Sequence, residues 1–212
     1  MHLDWRPVAL DDGPPISTSV TAAETQRLQE LGKDADVLEI GSAFGYSAVA
    51  FGLVGARVTA VDAREWVPLD TFLGALDAYG VRAQVHAVAQ SSQSALPMLV
   101  DEGRAFDLIF IDGDHTAPVV ESDVIWSLKL LREGGTLAIH DFNEPCCCPD
   151  VGPTVFRLLG EPDEIVNTMA VYYRNKIVGE QRPEVFVPSV TGRIEPKVPT
   201  GFWGTVQPDE HP

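Results

Sequence analysis

Short runs of apolar and β-branched residues alternate along most of the chain with longer stretches whose apolar positions recur at helical spacing. The runs at 36–40, 57–62, 82–88, 106–112 and 136–140 read as strands, with two more near 164–168 and 170–174. Between them, helices are predicted over about 21–31, 46–54, 68–79, 94–102, 117–131 and 154–159. Gly32, Gly55, Gly80 and the pair Gly134-Gly135 serve as their stops. Thr21-Ala-Ala-Glu24 fits a capping box, in which a hydroxyl and a carboxylate each satisfy a free backbone N–H at a helix start. Strands that alternate with helices predict a doubly wound, mostly parallel α/β sheet of about seven strands with helices on both faces.

Texture sets the domain limits. Residues 1–18 carry prolines and aspartates and predict an irregular arm, and 19–178 form the α/β domain. From Gly179 to Pro212 prolines recur too densely for helices or central strands, so 179–212 is a Pro-rich tail. Its Phe186, Phe202 and Trp203 leave two expectations open: a disordered tail, or a segment that packs on its own domain, over the active site or on a second subunit of a homodimer. Apolar runs fall short of the roughly 18–20 residues that span a bilayer. The first residues lack the basic-then-apolar pattern of a signal peptide, so a cytoplasmic protein without membrane partners is expected.

Charge narrows the partner. Lys and Arg total 15 against 31 Asp and Glu, a formal net charge of −16, which disfavours a phosphate backbone and favours a small-molecule partner. The cysteines are consecutive, Cys146-Cys147-Cys148, which is no disulfide framework, and the default expectation is a loop without redox chemistry.

The most informative segment is Val-Leu-Glu-Ile-Gly-Ser-Ala-Phe-Gly-Tyr-Ser, 37–47, a strand that enters a glycine-punctuated turn and then a helix. Such a turn lets an adenosine-type cofactor approach the backbone closely, although a plain packing turn looks the same. The glycines are spaced G-x-x-x-G rather than G-x-G-x-x-G, and Glu39 precedes the first by two. A carboxylate there repels a pyrophosphate and suits a ligand that is cationic or carries an amine. The stretch resembles motif I of the class I S-adenosylmethionine-dependent methyltransferases, whose Rossmann-like fold binds a cofactor with a sulfonium and an ammonium. That resemblance implies a methionine pocket shaped by Glu39, Gly41, Ser42, Gly45, Tyr46 and Ser47.

Polar residues then stand at successive strand ends, where ligands bind in open α/β sheets: Glu39, Asp62, Ser91-Ser92, Asp112 and His140-Asp141. Asp62 is placed to accept the ribose hydroxyls, and Ser92 borders the adenine region, where the methyltransferase pattern often has an acid. The runs Ile111-Asp-Gly-Asp-His115 and Gly134-Gly-Thr-Leu-Ala-Ile-His-Asp141 look like the I-D-G-D-H and H-D elements of a small-molecule methyltransferase family. That family is related in fold to the catechol-type and macrolide-sugar O-methyltransferases. The resemblance covers roughly 19–175 and implies methyl transfer to a hydroxyl of a natural product, sugar or phenol. Asp112 would then lie where cofactor, acceptor and any metal meet.

His140, His115 and Asp112 are the candidate catalytic residues, either histidine serving as base. The catechol-type relatives bind Mg²⁺ through an acid matching Asp112 and a pair matching His140-Asp141, so Asp112, His140 and Asp141 are the candidate metal ligands. Histidine is a poor ligand for Mg²⁺, and a metal-optional site follows. Residues 1–20 and 142–153 are expected to wall the acceptor pocket. Asp107 is expected at its strand start, away from the cofactor, Asp123 as a fold-stabilising contact, and Trp126 and Leu130 as core. N- or C-methylation, a nucleotide-binding oxidoreductase, which the missing G-x-G-x-x-G disfavours, and a non-catalytic cofactor-binding protein are the alternatives.

Overall fold

The computed structural model describes residues 5–177. In chain order the elements are β1 (Arg6–Val8), β2 (Ile16–Thr18), α1 (Ala22–Gly32), β3 (Asp36–Ile40), α2 (Tyr46–Leu53), β4 (Arg57–Val61) and α3 (Leu69–Ala78). Then come β5 (Val85–Val88), α4 (Ser92–Asp101), β6 (Phe106–Ile111), α5 (Ala117–Leu130), β7 (Leu131–Ile139), α6 (Val151–Leu159), β8 (Glu164–Val166), β9 (Met169–Tyr173) and α7 (Arg174–Ile177). Strands β3 to β7 pair in parallel and the hairpin β8–β9 joins antiparallel at β7. The result is a seven-stranded sheet ordered β5-β4-β3-β6-β7-β9-β8.

From Leu108 onward side-chain alternation along β6 splits the core in two, with Phe106 lying before a register shift. Phe106, Ile109 and Ile111 pack with α4, α5 and α6, through residues such as Leu96, Val124 and Val155. Leu108 and Phe110 face the layer of α1, α2 and α3, through Leu28, Phe51 and Phe72. Helices therefore cover both faces, and each strand needs apolar side chains on both sides. Strand order reverses between β3 and β6. Their carboxyl ends are the switch point where a ligand crevice opens.

Four local expectations are corrected. The arm at 1–18 contains a hairpin in place of irregular chain: Arg6 pairs with Thr18 and Val8 with Ile16, and burial of Leu10, Ile16 and Thr18 holds it down. Residues 82–84 form a 3-10 turn, so the strand there starts at Val85. The chain enters β7 at Leu131, and Gly134-Gly135, read as a helix stop, lie within the irregularity between Leu131 and Thr136 in their pairing with β6. Helix α6 begins at Val151, one turn earlier than expected. Leu130 is fully buried as expected, while Trp126 is only partly buried under the Lys129 ammonium, 4.1 Å from the ring centroid. The Pro-rich tail at 179–212 lies outside the described residues. Among the described residues no helix is long and apolar enough to cross a membrane.

Candidate active site at the carboxyl ends of the sheet

The glycine turn is fixed by contact between two strand ends. Gly41 has φ +87°, and a Cβ there would fall 2.1 Å from the Asp112 carbonyl oxygen. The Asp112 N–H in turn donates to the Ile40 carbonyl at 2.8 Å. Only glycine meets both demands. Gly45, at φ +93°, starts α2. The backbone between them is held by Asp62, whose Oδ2 accepts from the N–H of Ser42 at 3.1 Å and of Ala43 at 2.8 Å. Its Oδ1 accepts from the Arg64 N–H at 2.7 Å. The Arg64 guanidinium closes the loop by donating to the Ala43 carbonyl and the Ser42 hydroxyl, and lies 4.0 Å from the Phe72 ring centroid. Asp62, expected on a ribose, thus anchors the glycine loop while still lining the cavity.

That cavity measures about 440 Å³ and lies along the ends of β3, β4, β5 and β6, within the range of small-molecule sites. Gly41, Ser42, Tyr46, Ser47, Asp62, Ser92 and Asp112 all reach its wall. Glu39 and Gly45 do not. Glu39 is fully buried beneath the loop, where its Oε1 accepts from the Ser47 hydroxyl and its Oε2 has no partner. Burial, reinforced by Asp112, pushes its pKa up to about 8. The charged carboxylate expected beside the turn is instead a buried acid that carries its proton at neutral pH.

The amino-terminal hairpin closes the other side of the cavity, through Trp5, Thr18 and Val20. Trp5 meets Phe44 edge-to-face at 4.7 Å between centroids. Residues 142–153, expected as pocket wall, do not line the cavity, because the chain after Asp141 folds down toward α6. Asp123 is the reverse case. It lines the cavity, is 1% exposed, and neither carboxylate oxygen has a hydrogen bond of acceptable geometry. Burial raises its pKa to about 6, although the nearby Ser92 hydroxyl opposes the shift.

At the end of β7 the polar groups converge. His140 is 3% exposed and its Nδ1 lies 3.2 Å from both Asp112 Oδ1 and Asp141 Oδ2. His115, on the loop after β6, brings Nε2 to 3.0 Å from the same Asp141 Oδ2. Asp141 reaches this position in a left-handed backbone conformation, φ +58°, strain of the kind that collects at functional sites. On its far side, His115 Nδ1 is 3.3 Å from Cys148 Sγ. Asp112, His115 and Asp141 reach the cavity, whereas His140 stands behind them. Although burial opposes it, the carboxylates raise the pKa of both histidines, His140 by far the more, and the histidines hold Asp141 well below the usual carboxylate range. Burial and Cys147 push the Cys148 thiol up, so it stays protonated.

Glu24 joins the cluster from the far end of the chain, 116 residues from His140. Glu24 makes the predicted capping box with Thr21, and also accepts from the N–H and hydroxyl of Thr168 and faces His140 Nε2 at 3.4 Å. Burial alone would raise its pKa, but His140 and Thr21 bring it down to about 2. The capping pattern located the residue and concealed its second contact.

Comparison with known proteins follows the same line. Residues 38–142 match the family model described as a methyltransferase domain. No curated protein matches the chain. Among solved structures, an O-methyltransferase from Bacillus cereus with S-adenosylhomocysteine is 24% identical over 64% of this chain, with a TM-score of 0.55. The match spans 66% of that chain, just under two thirds. The O-methyltransferase TomG from Streptomyces achromogenes, involved in tomaymycin synthesis and complexed with S-adenosylmethionine, is 22% identical with a TM-score of 0.58. Coverage is 73% of this chain and 81% of that one. A TDP-rhamnose 3'-O-methyltransferase of calicheamicin biosynthesis is 14% identical over 73% of this chain and 81% of its own, with a TM-score of 0.59. The doubly wound sheet, the glycine turn at its switch point and the match over residues 38–142, just under half of the chain, together identify a methyltransferase domain with the class I fold.

Proposed function

We propose that the protein transfers a methyl group from S-adenosylmethionine to a hydroxyl of a small molecule, of the natural-product, sugar or phenol class. The observation that carries this reading is one cavity with a glycine loop at one end and an ionisable cluster at the other. The loop holds the cofactor and the cluster faces the acceptor. The reaction is an in-line displacement at a carbon already activated by its sulfonium, so the protein's tasks are to align two reactants and to handle one proton. Ser42, Tyr46 and Ser47 bound the methionine end, Asp62 the ribose and Ser92 the adenine side. Trp5 and Phe44 supply an apolar wall for the acceptor, and its hydroxyl meets Asp112, His115 and Asp141 on the wall. The net charge of −16 supports a small acceptor over a nucleic acid.

Mg²⁺, implied by the catechol-type resemblance, does not fit the donors. Beside Asp112 and Asp141 the third donor is an imidazole nitrogen of His140, and the second group at Asp141 adds the His115 imidazole and the Cys148 thiol, where Mg²⁺ takes oxygens. Calorimetry with S-adenosylhomocysteine, followed by mass spectrometry of a panel of phenols, sugars and hydroxylated metabolites with S-adenosylmethionine, tests the proposal. Saturable binding and a methyl added to oxygen are expected. A protein that does not bind the spent cofactor does not have this function.

A further inference from the structure

Away from the histidines, Asp123 offers a carboxylate that the fold leaves without a donor. It stands on α5, is 1% exposed and lines the cavity, and among the described residues neither oxygen has a hydrogen bond of acceptable geometry. The nearby Ser92 hydroxyl is turned to the Gln93 side-chain oxygen, 3.5 Å away. Asp114, the charged group that acts on Asp123, bears the same sign and makes no pair with it. Gly113 has no side chain to cover the acid, and a Cβ there would lie 3.8 Å from Asp123 Oδ2. A carboxylate buried unpaired is costly, and buried acceptors are nearly always satisfied. An orphaned one on a cavity wall marks the place where a ligand brings the donor.

Its place in the fold says which donor. Helix α5 packs with α4 over one face of the sheet, while α2, which carries Tyr46 and Ser47, covers the other. The cavity crosses the strand ends between these layers, and Asp123 shares its wall with Ser91 and Ser92, which follow β5. S-adenosylmethionine has N–H donors at its two extremes, an ammonium on the methionine and an amino group on the purine. With the methionine against α2 and the ribose at Asp62, the group that reaches the α4–α5 layer is the purine amine. We infer that Asp123 accepts this exocyclic amino group and makes the site select an aminopurine over a purine that lacks it. The inference rests on the proposed function and deepens it at the cofactor end. A neutral amine satisfies the carboxylate without burying a second charge. Ionised, the carboxylate can only accept, so a purine with a bare C–H at that position leaves it unsatisfied. The competing role is a tie between α5 and the first turn of α4 through Ser92, which would treat both purines alike.

Calorimetry of the full chain with S-adenosylhomocysteine and with its 6-deamino analogue, in which hydrogen replaces the purine amino group, separates the two. Wild type should bind the analogue about ten- to hundredfold more weakly. In Asp123→Ala the two ligands should bind within about threefold of each other, because the variant has already lost what the analogue lacks. Asp123→Leu, closer to the original volume, reports the same ratio where the alanine variant does not fold. Asp123→Asn keeps an acceptor oxygen without the charge and should restore part of the preference. Equal binding of the two ligands by wild type overturns the role of Asp123 and leaves cofactor binding in place. So does a wild-type preference that survives in the folded alanine or leucine variant, with both affinities lowered in parallel or not at all. Failure of wild type to bind either ligand removes the methyltransferase reading, and the role of Asp123 with it.

Discussion

The two ends of the sheet use the same residue types to opposite effect. At the amino ends of β3, β4 and β6, Asp36 takes Arg57 at 2.7 Å and Arg132 at 2.8 Å, and Arg132 also reaches Asp107 at 2.7 Å. Asp107 accepts the Asp36 N–H as well, so each of these charges has a partner and stands partly in water. At the carboxyl ends the acids and bases are buried, and among the described residues six of their side-chain atoms have no hydrogen bond: Glu39 Oε2, Arg64 Nε, His115 Nε2, His140 Nδ1 and both oxygens of Asp123. Buried polar groups are nearly always satisfied, and their orphaning on one rim of one sheet marks that rim as the place where a ligand completes the structure. Paired charge at the amino rim serves the fold, while polar atoms left without a hydrogen bond at the carboxyl rim serve chemistry.

The sharpest way to break this contrast is to separate the strand ends at the ligand rim. In Gly41→Ala the added Cβ collides with the Asp112 backbone at a φ of +87°. We expect a loss of at least about 3 kcal/mol, the upper range for backbone strain before the clash is counted, and no measurable S-adenosylhomocysteine binding. Urea unfolding and calorimetry check both, and wild-type values would mean that the rim is not built on this contact. A smaller loss is expected for Asp62→Ala, which leaves the N–H groups of Ser42, Ala43 and Arg64 without their acceptor. The expected cost is about 1–3 kcal/mol of stability, with cofactor affinity down by about tenfold or more. Full affinity in that variant would show that the loop holds its shape without the anchor.

These residues also show how far the sequence could be read. The sheet, its parallel order and its ligand rim follow from apolar runs broken by glycines, because strand burial and crossover handedness are properties of the whole pattern. Asp107 at the far rim is legible in the sequence, since a position at a strand's start is a matter of counting. What escaped depends on contacts distant in sequence. Glu24 meets His140 across 116 residues and Asp62 meets Ala43 across 19. The hairpin at 6–18 rests on three-residue strands too short to show a period. The carboxylate of Asp123 at the cavity wall is likewise not legible in the sequence, because helical spacing reports which residues share a face and is silent on whether a carboxylate finds a donor there.

A subtler effect separates the rims through protons. Glu39 is raised from 4.5 to about 8, chiefly by burial. Below 4.5 the folded and unfolded chains both hold the proton. Between 4.5 and about 8 the unfolded chain releases it and the folded chain keeps it, so stability falls as pH rises through this window and levels off above it. Glu39→Gln removes that slope. The stability of wild type relative to the variant should therefore decline steadily across the window in cofactor-free protein, as read from urea midpoints at several pH values. A constant difference would mean that Glu39 ionises as it does in water.

The smallest effect belongs to the amino rim. Arg132→Ala breaks two ion pairs, with Asp36 and Asp107, but its side chain is 41% exposed and both carboxylates keep contact with water. Exposed pairs contribute about 0–1 kcal/mol each and weaken with salt. The variant should unfold within about 1 kcal/mol of wild type, the gap shrinking in high salt, and should bind S-adenosylhomocysteine unchanged. The same rim-to-rim distance that leaves the cofactor untouched makes this a test of the division itself. An Arg132 variant that lost cofactor affinity while staying folded would show that the amino rim reaches the ligand through the strands, and the separation of roles between the two ends would not hold.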